Sequence, residues 1–312
     1  MEKIAEIGGA SFSIMGMLWV IFNNRLPHNC YSTLLTWLCY TWVFQSSCII
    51  VFNLIIVNLP NVRCSTFWSL FYNDCPLYID IFRTITESLA IFTYLMTFVL
   101  CRIPWALITN KSTMESIKPK RIVLILIPIS LIRWLEFIPN STVFAVSQMV
   151  VFVITIASYI GMIYYCSRTW FRLRKESHDR QAQYTIGSFQ YREITKHKAS
   201  KIMLKLSGIL LLSNLMTFIA LCIFLVVTVV MFGNGGDPQA LIESGRNSVV
   251  FQILLILSFF IGNLYGGIFA IGFYCMFDDI RLYNIPHIEG PVREKKVVDS
   301  VIVADDNNSP LN

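Results

Sequence analysis

Asp80, Arg83 and Glu87 stand three and four residues apart inside a stretch that is otherwise almost wholly apolar. On an α-helix that spacing puts all three on one face. Arg133 and Glu136, three apart, repeat the pattern in a later apolar stretch, and Gln148 and Asn263 add neutral hydrogen-bonding groups to two more. An ionisable group at the centre of a membrane helix costs about 2.5–3.5 kcal/mol on insertion scales, so such groups commonly face a protein interior and mark a ligand or ion path. Two readings follow. One is a ligand pocket opening to the outer side, built from Asp80, Arg83, Glu87, Gln148 and Asn263. The other is intrahelical ion pairing, Arg83 with Glu87 and Arg133 with Glu136, which merely lowers the cost of insertion. Pairing suits Arg133 and Glu136 better, whereas Glu87, the deepest of the group, suits ligand contact.

Catalytic and metal chemistry lack the residues they need. All four histidines (His28, His178, His197 and His287) fall between or after the apolar stretches, while an intramembrane metal site needs its ligands within them. The cysteines form no C-x-x-C pair. The glycine-rich GNGGDP at 233–238 is followed by no Gly-Lys-Ser/Thr, so it reads as a turn and not a phosphate cradle. No enzyme activity, metal or cofactor is expected.

The elements that must position the charged group are set by composition. Of 312 residues, 55% belong to the hydrophobic set and only 14% are charged, with a mean hydropathy of +0.60. Soluble domains carry about 25% charged residues; this chain cannot make a water-facing shell, and its solvent is lipid. About 20 mostly apolar residues cross the hydrocarbon core. Seven stretches qualify, at roughly 5–23, 34–58, 79–103, 121–139, 142–167, 202–232 and 248–277. The expectation is an all-α integral membrane protein, a seven-helix bundle over 1–277 with a tail over 278–312. The tail reads as a short membrane-surface helix followed by a disordered end.

Positive charge sets the orientation. One set of linkers, with the tail, holds 18 basic residues and the other holds 4. The amino terminus is therefore expected outside and the tail in the cytoplasm. Basic residues sit between apolar runs instead of spreading over a folded polar face, which excludes a nucleic-acid partner. Arg168, Arg172 and Lys175 line one face where the fifth helix leaves the membrane, and Lys198, Lys201 and Lys205 line another where the sixth begins. They serve either a docking partner or lipid headgroups. Arg102 stands alone at the inner end of the third span.

Three further features belong to packing or the outer surface. Ser258, Gly262, Gly266 and Ala270 recur every four residues along the seventh span, a spacing that lets helices approach closely. Cys64 and Cys75 share the outer linker between the second and third spans; a disulfide there would stabilise the loop by about 3 kcal/mol, and two free thiols fit equally well. Asn140-Ser141-Thr142 matches a glycosylation acceptor in an outer loop too short for the transferase to reach readily.

Seven spans, an outer amino terminus, a long basic third inner linker (168–201) and a short cytoplasmic tail resemble a G-protein-coupled receptor, most closely the nematode serpentine chemoreceptors. Arg102 takes the place of the arginine in the Asp-Arg-Tyr motif of rhodopsin-like receptors, here within Cys101-Arg102-Ile103. The Asn-Pro-x-x-Tyr pattern is missing, since 248–277 holds Asn263 and Tyr274 but no proline. The sixth span lacks proline and tryptophan, and the outer loop before the fifth span lacks the usual cysteine. The resemblance implies a chemosensory receptor in the plasma membrane, or in a sensory cilium. It would bind a small ligand and a heterotrimeric G protein, the latter through Arg102 and the two basic faces. A seven-helix transporter or ligand-gated channel is the alternative. It would need the outer charges to continue inward, where the third span offers only Thr93, Tyr94 and Thr97.

Overall fold

The computed structural model describes residues 2–23, 30–57, 77–109, 118–138, 141–181, 199–215, 218–219 and 260–276, with 253, 256 and 257. Apart from short caps and turns these residues are helical, and no strand occurs among them. The helices are α1 (Glu2–Asn23), α2 (Cys30–Val57), α3 (Leu77–Thr109), α4 (Pro119–Ser130), α5 (Ser141–Gln181), α6 (199–215) and α7 (Tyr265–Cys275). Four of them contain stretches long and apolar enough to cross a membrane: Lys3–Asn23, Cys30–Ile55, Asp80–Thr109 and Met149–Lys175. Only 22% of the most apolar window in α5 is buried. Met149, Phe152, Val153, Ile160 and Ile163 all lie open along it, a surface water would not tolerate. The protein is an all-helical membrane protein.

α1 packs on α2 and α7, α2 on α3, and α3 on α5. The largest buried side chains, including Trp42, Tyr31, Phe269 and Phe273, join α1, α2, α3, α6 and α7 in one core. α5 is 41 residues long, about 60 Å at the helical rise, twice the hydrocarbon thickness. Between about 35 and 50 Å along it from Ser141, Tyr164, Tyr165 and Trp170 meet Arg168 and Arg174 in the aromatic and basic mix typical of a membrane interface.

The span expected at 121–139 is not one continuous α-helix. α4 stops at Ser130 and the chain continues as a 3-10 helix over Leu131–Phe137. Pro128 lies inside α4 and removes a backbone donor, and the Ser130 hydroxyl donates to the Ile127 carbonyl at 2.8 Å. The tighter winding rises about 2 Å per residue, so the two pieces together still extend about 32 Å.

The span expected at 248–277 also breaks. Its described part is helical over 260–262, turns at Asn263 and resumes in α7. Glycines at 262, 266 and 267 weaken the helix here, and the freed backbone groups are met from α1. The Ser13 hydroxyl donates to the Asn263 carbonyl and accepts from the Gly266 amide. Close approach makes this clasp feasible. A Cβ on Gly266 would lie 2.8 Å from the Ser13 carbonyl oxygen, and one on Gly16 would lie 2.8 Å from the Ala270 Cβ.

Candidate functional site

α3 carries Asp80, Arg83 and Glu87 on one face near its start, as their spacing dictates. Arg83 lies 3.6 Å from the Asp80 carboxylate and 4.0 Å from that of Glu87. Arg133, buried on the 3-10 segment, donates through Nε to Glu87 Oε2 and so joins two elements. Sequence spacing suggested Arg133 with Glu136; the cross-helix bond to Glu87 is what that spacing could not disclose. The side chain of Glu136 lies outside the described residues, as does that of Gln148. Two carboxylates and two guanidiniums give this cluster no net charge, so it can orient a polar ligand without drawing a strongly charged one inward.

About two helical turns further along α3 lies a second polar layer, of which the sequence reading marked Asn263 alone as a ligand contact. A cavity of about 60 Å³ is lined by Trp42 and Gln45 of α2, Ala90, Thr93 and Tyr94 of α3, Asn214 of α6, and Gly262, Asn263 and Tyr265 at the break before α7. Its walls are held by hydrogen bonds. The Asn214 amide donates to the Leu210 carbonyl at 2.8 Å and to Thr97 Oγ1 at 3.4 Å. Tyr159 donates to the Asn214 carbonyl at 2.6 Å, and Thr93 donates to the Ala90 carbonyl at 2.7 Å. The Ser46 and Tyr265 hydroxyls are 2.9 Å apart. Aromatic rings close the sides, Trp42 to Tyr265 at 5.5 Å between centroids and Tyr94 to Tyr159 at 5.6 Å. Gln45 is 8% exposed, and its Oε1 has no hydrogen-bond partner among the described residues.

Another polar pair was hidden in plain sight. Glu6, 4% exposed on α1, accepts from Asn53 of α2 at 2.6 Å. Glu6, Gln45, Asn53 and Asn214 share one readable signal: each is a strong hydrogen-bonding group within an apolar span, where an interior partner is expected. Their partners are not readable, because they come from other helices.

Towards the other end of α3 Arg102 is exposed, with its guanidinium 6.0 Å from the Tyr165 ring of α5. Arg168 lies 5.5 Å from Tyr164 and Arg174 lies 5.3 Å from Trp170, distances at which a cation is attracted to a ring face. Arg172, Lys175, Lys201 and Lys205 are exposed on α5 and α6. Lys198, Cys64, Cys75, Ser258 and the tail fall outside the described residues. Gly266 and Ala270 pack on α1, as the clasp requires, and Gly262 and Asn263 border the cavity. No cluster of three or more metal-ligating side chains occurs among the described residues. Neither the models of known protein families nor the curated proteins include a match to this chain.

Proposed function

We propose that this protein is a seven-helix receptor of the plasma membrane, amino terminus outside and tail in the cytoplasm. It takes a small ligand among the outer halves of its helices and signals through a heterotrimeric G protein. The observation that supports this reading is that, among the described residues, the ionic cluster and the cavity stand beside a core rich in apolar side chains. Leu38, Met96, Leu100, Leu206, Leu210 and Phe273 of α2, α3, α6 and α7 are each 0% exposed, and the buried hydroxyls among them, Thr97, Ser207 and Tyr31, are tied up in hydrogen bonds to one another or to backbone. A transporter or channel needs a polar route onward; a receptor needs only a ligand with differing affinity for two packings of the bundle.

In this account Asp80, Arg83 and Glu87 meet the ligand at the mouth, with Gln148, and Asn263 meets it at the cavity. Repacking around the cavity then shifts the inner ends of α5 and α6. Arg102, Arg168, Arg172, Lys175, Lys198, Lys201 and Lys205 supply the cationic surface on which the G protein docks. A chemosensory role, with residence in a sensory cilium, follows from the same resemblance.

The test is expression in matched cells with and without heterotrimeric G proteins, screened against small-molecule panels. A compound response that requires the G proteins is expected. Compound-evoked current or tracer flux that persists in their absence contradicts the receptor and favours the transporter or channel.

A further inference from the structure

The mid-bundle cavity has a composition that specifies what it accepts. Among the described residues its wall offers amides (Gln45, Asn214 and Asn263), hydroxyls (Thr93, Tyr94 and Tyr265) and the indole of Trp42, with no carboxylate and no cation. Burying an ion there would cost several kcal/mol with nothing opposite to offset it. A nonpolar guest would leave the Gln45 amide oxygen without a partner among the described residues, which costs about 1–3 kcal/mol for a buried group. Gln45 sharpens the point, because the oxygen of its nine-tenths-buried amide lacks a partner among the described residues. A site of about 60 Å³ is far below the roughly 300–1,000 Å³ of drug-sized pockets but well above the space of about 10–15 Å³ needed for one water.

We propose that this cavity is a binding site for very small uncharged molecules carrying both a hydrogen-bond donor and an acceptor, of about two to four non-hydrogen atoms, such as simple amides or short alcohols. The donor satisfies Gln45 Oε1, and the acceptor takes a hydroxyl proton from Tyr94 or Tyr265, or replaces Thr97 in its long 3.4 Å bond to the Asn214 amide. The flat aromatic walls from Trp42, Tyr94 and Tyr265 suit a planar amide. The break at Asn263 places irregular backbone against the cavity, an arrangement membrane proteins tolerate where such backbone lines a polar space. The inference deepens the receptor reading, on which it rests for its biological meaning, by naming the chemistry of the ligand that reaches the cavity.

Acetamide is a suitable probe, and acetate is its charged counterpart of equal size. Saturation-transfer NMR on the purified full chain in lipid nanodiscs reads binding without any signalling partner. The expected result is saturable transfer to acetamide in the millimolar range, at least tenfold weaker for acetate. Gln45→Leu removes the amide and Ala90→Leu fills the space; each should weaken acetamide at least tenfold, with helicity and elution volume unchanged. Should one variant misfold, the other and the acetate comparison still decide. No saturable acetamide signal, equal binding of acetate, or unchanged binding in a folded variant overturns the site and leaves a cavity holding water alone. Binding without G-protein signalling sinks the receptor reading and spares the site; signalling to larger compounds without acetamide binding does the reverse.

Discussion

At the residue scale, Glu87 is the junction of the ionic cluster, facing Arg83 on its own helix and Arg133 from the 3-10 segment. Removing one member of a buried pair leaves the other charge uncompensated, which is more damaging than removing both. Arg133 is buried, whereas the Glu87 side chain keeps 30% exposure, so screening moderates the effect to about 1–3 kcal/mol. Glu87→Gln and Arg133→Gln should each lower thermal stability in nanodiscs, and the double variant should lose less than the sum; strict additivity would show that the pair carries no coupling. In cells, Glu87→Gln should weaken the ligand response more than Glu136→Gln does. Matching dose–response curves would remove Glu87 from the ligand's path. The charges themselves were legible from spacing alone, as was their shared face. The partner of Glu87 was not, because a residue 46 positions away reaches it only once α4 has changed its winding.

At the element scale, the contact between α1 and α7 depends on absent side chains. A leucine at Gly266 would drive its Cβ into the Ser13 backbone and displace the clasp on the broken helix. Gly266→Leu should therefore cost about 1–3 kcal/mol or more. A Cβ on Gly208 of α6 meets nothing within 4 Å, so Gly208→Ala should be neutral or stabilising by up to about 1 kcal/mol through helix propensity alone. Melting temperatures of the two variants check this; equal effects would show that the α1–α7 approach is not tight. The stripe of small residues announced close packing, yet the interruption at Asn263 was invisible. Hydropathy sees a continuous apolar run, whereas the group that makes the break affordable is a serine 250 residues earlier. The split of the fourth span was nearer to hand, since Pro128 stands in its middle.

At the scale of the whole molecule, composition alone identified the solvent, because a chain with 14% charged residues has no other place to put its apolar surface. The four long helices lie within or around the first, second, third and fifth expected spans. Beyond position 219 the sixth span, and most of the seventh before 260, fall outside the described residues. The interior layering was the part composition could not supply. The ionic cluster, the cavity and the apolar core each draw residues from more than one helix, and their relation appears only when those helices are packed.

The receptor account requires the two ends of the chain to face opposite sides of the membrane, as seven crossings would place them, with the basic linkers on the cytoplasmic side. Epitope tags at both ends, stained in intact and permeabilised cells, measure this directly. The account predicts an amino-terminal tag visible without permeabilisation and a carboxy-terminal tag visible only after it. Equal access to both tags in intact cells would contradict it.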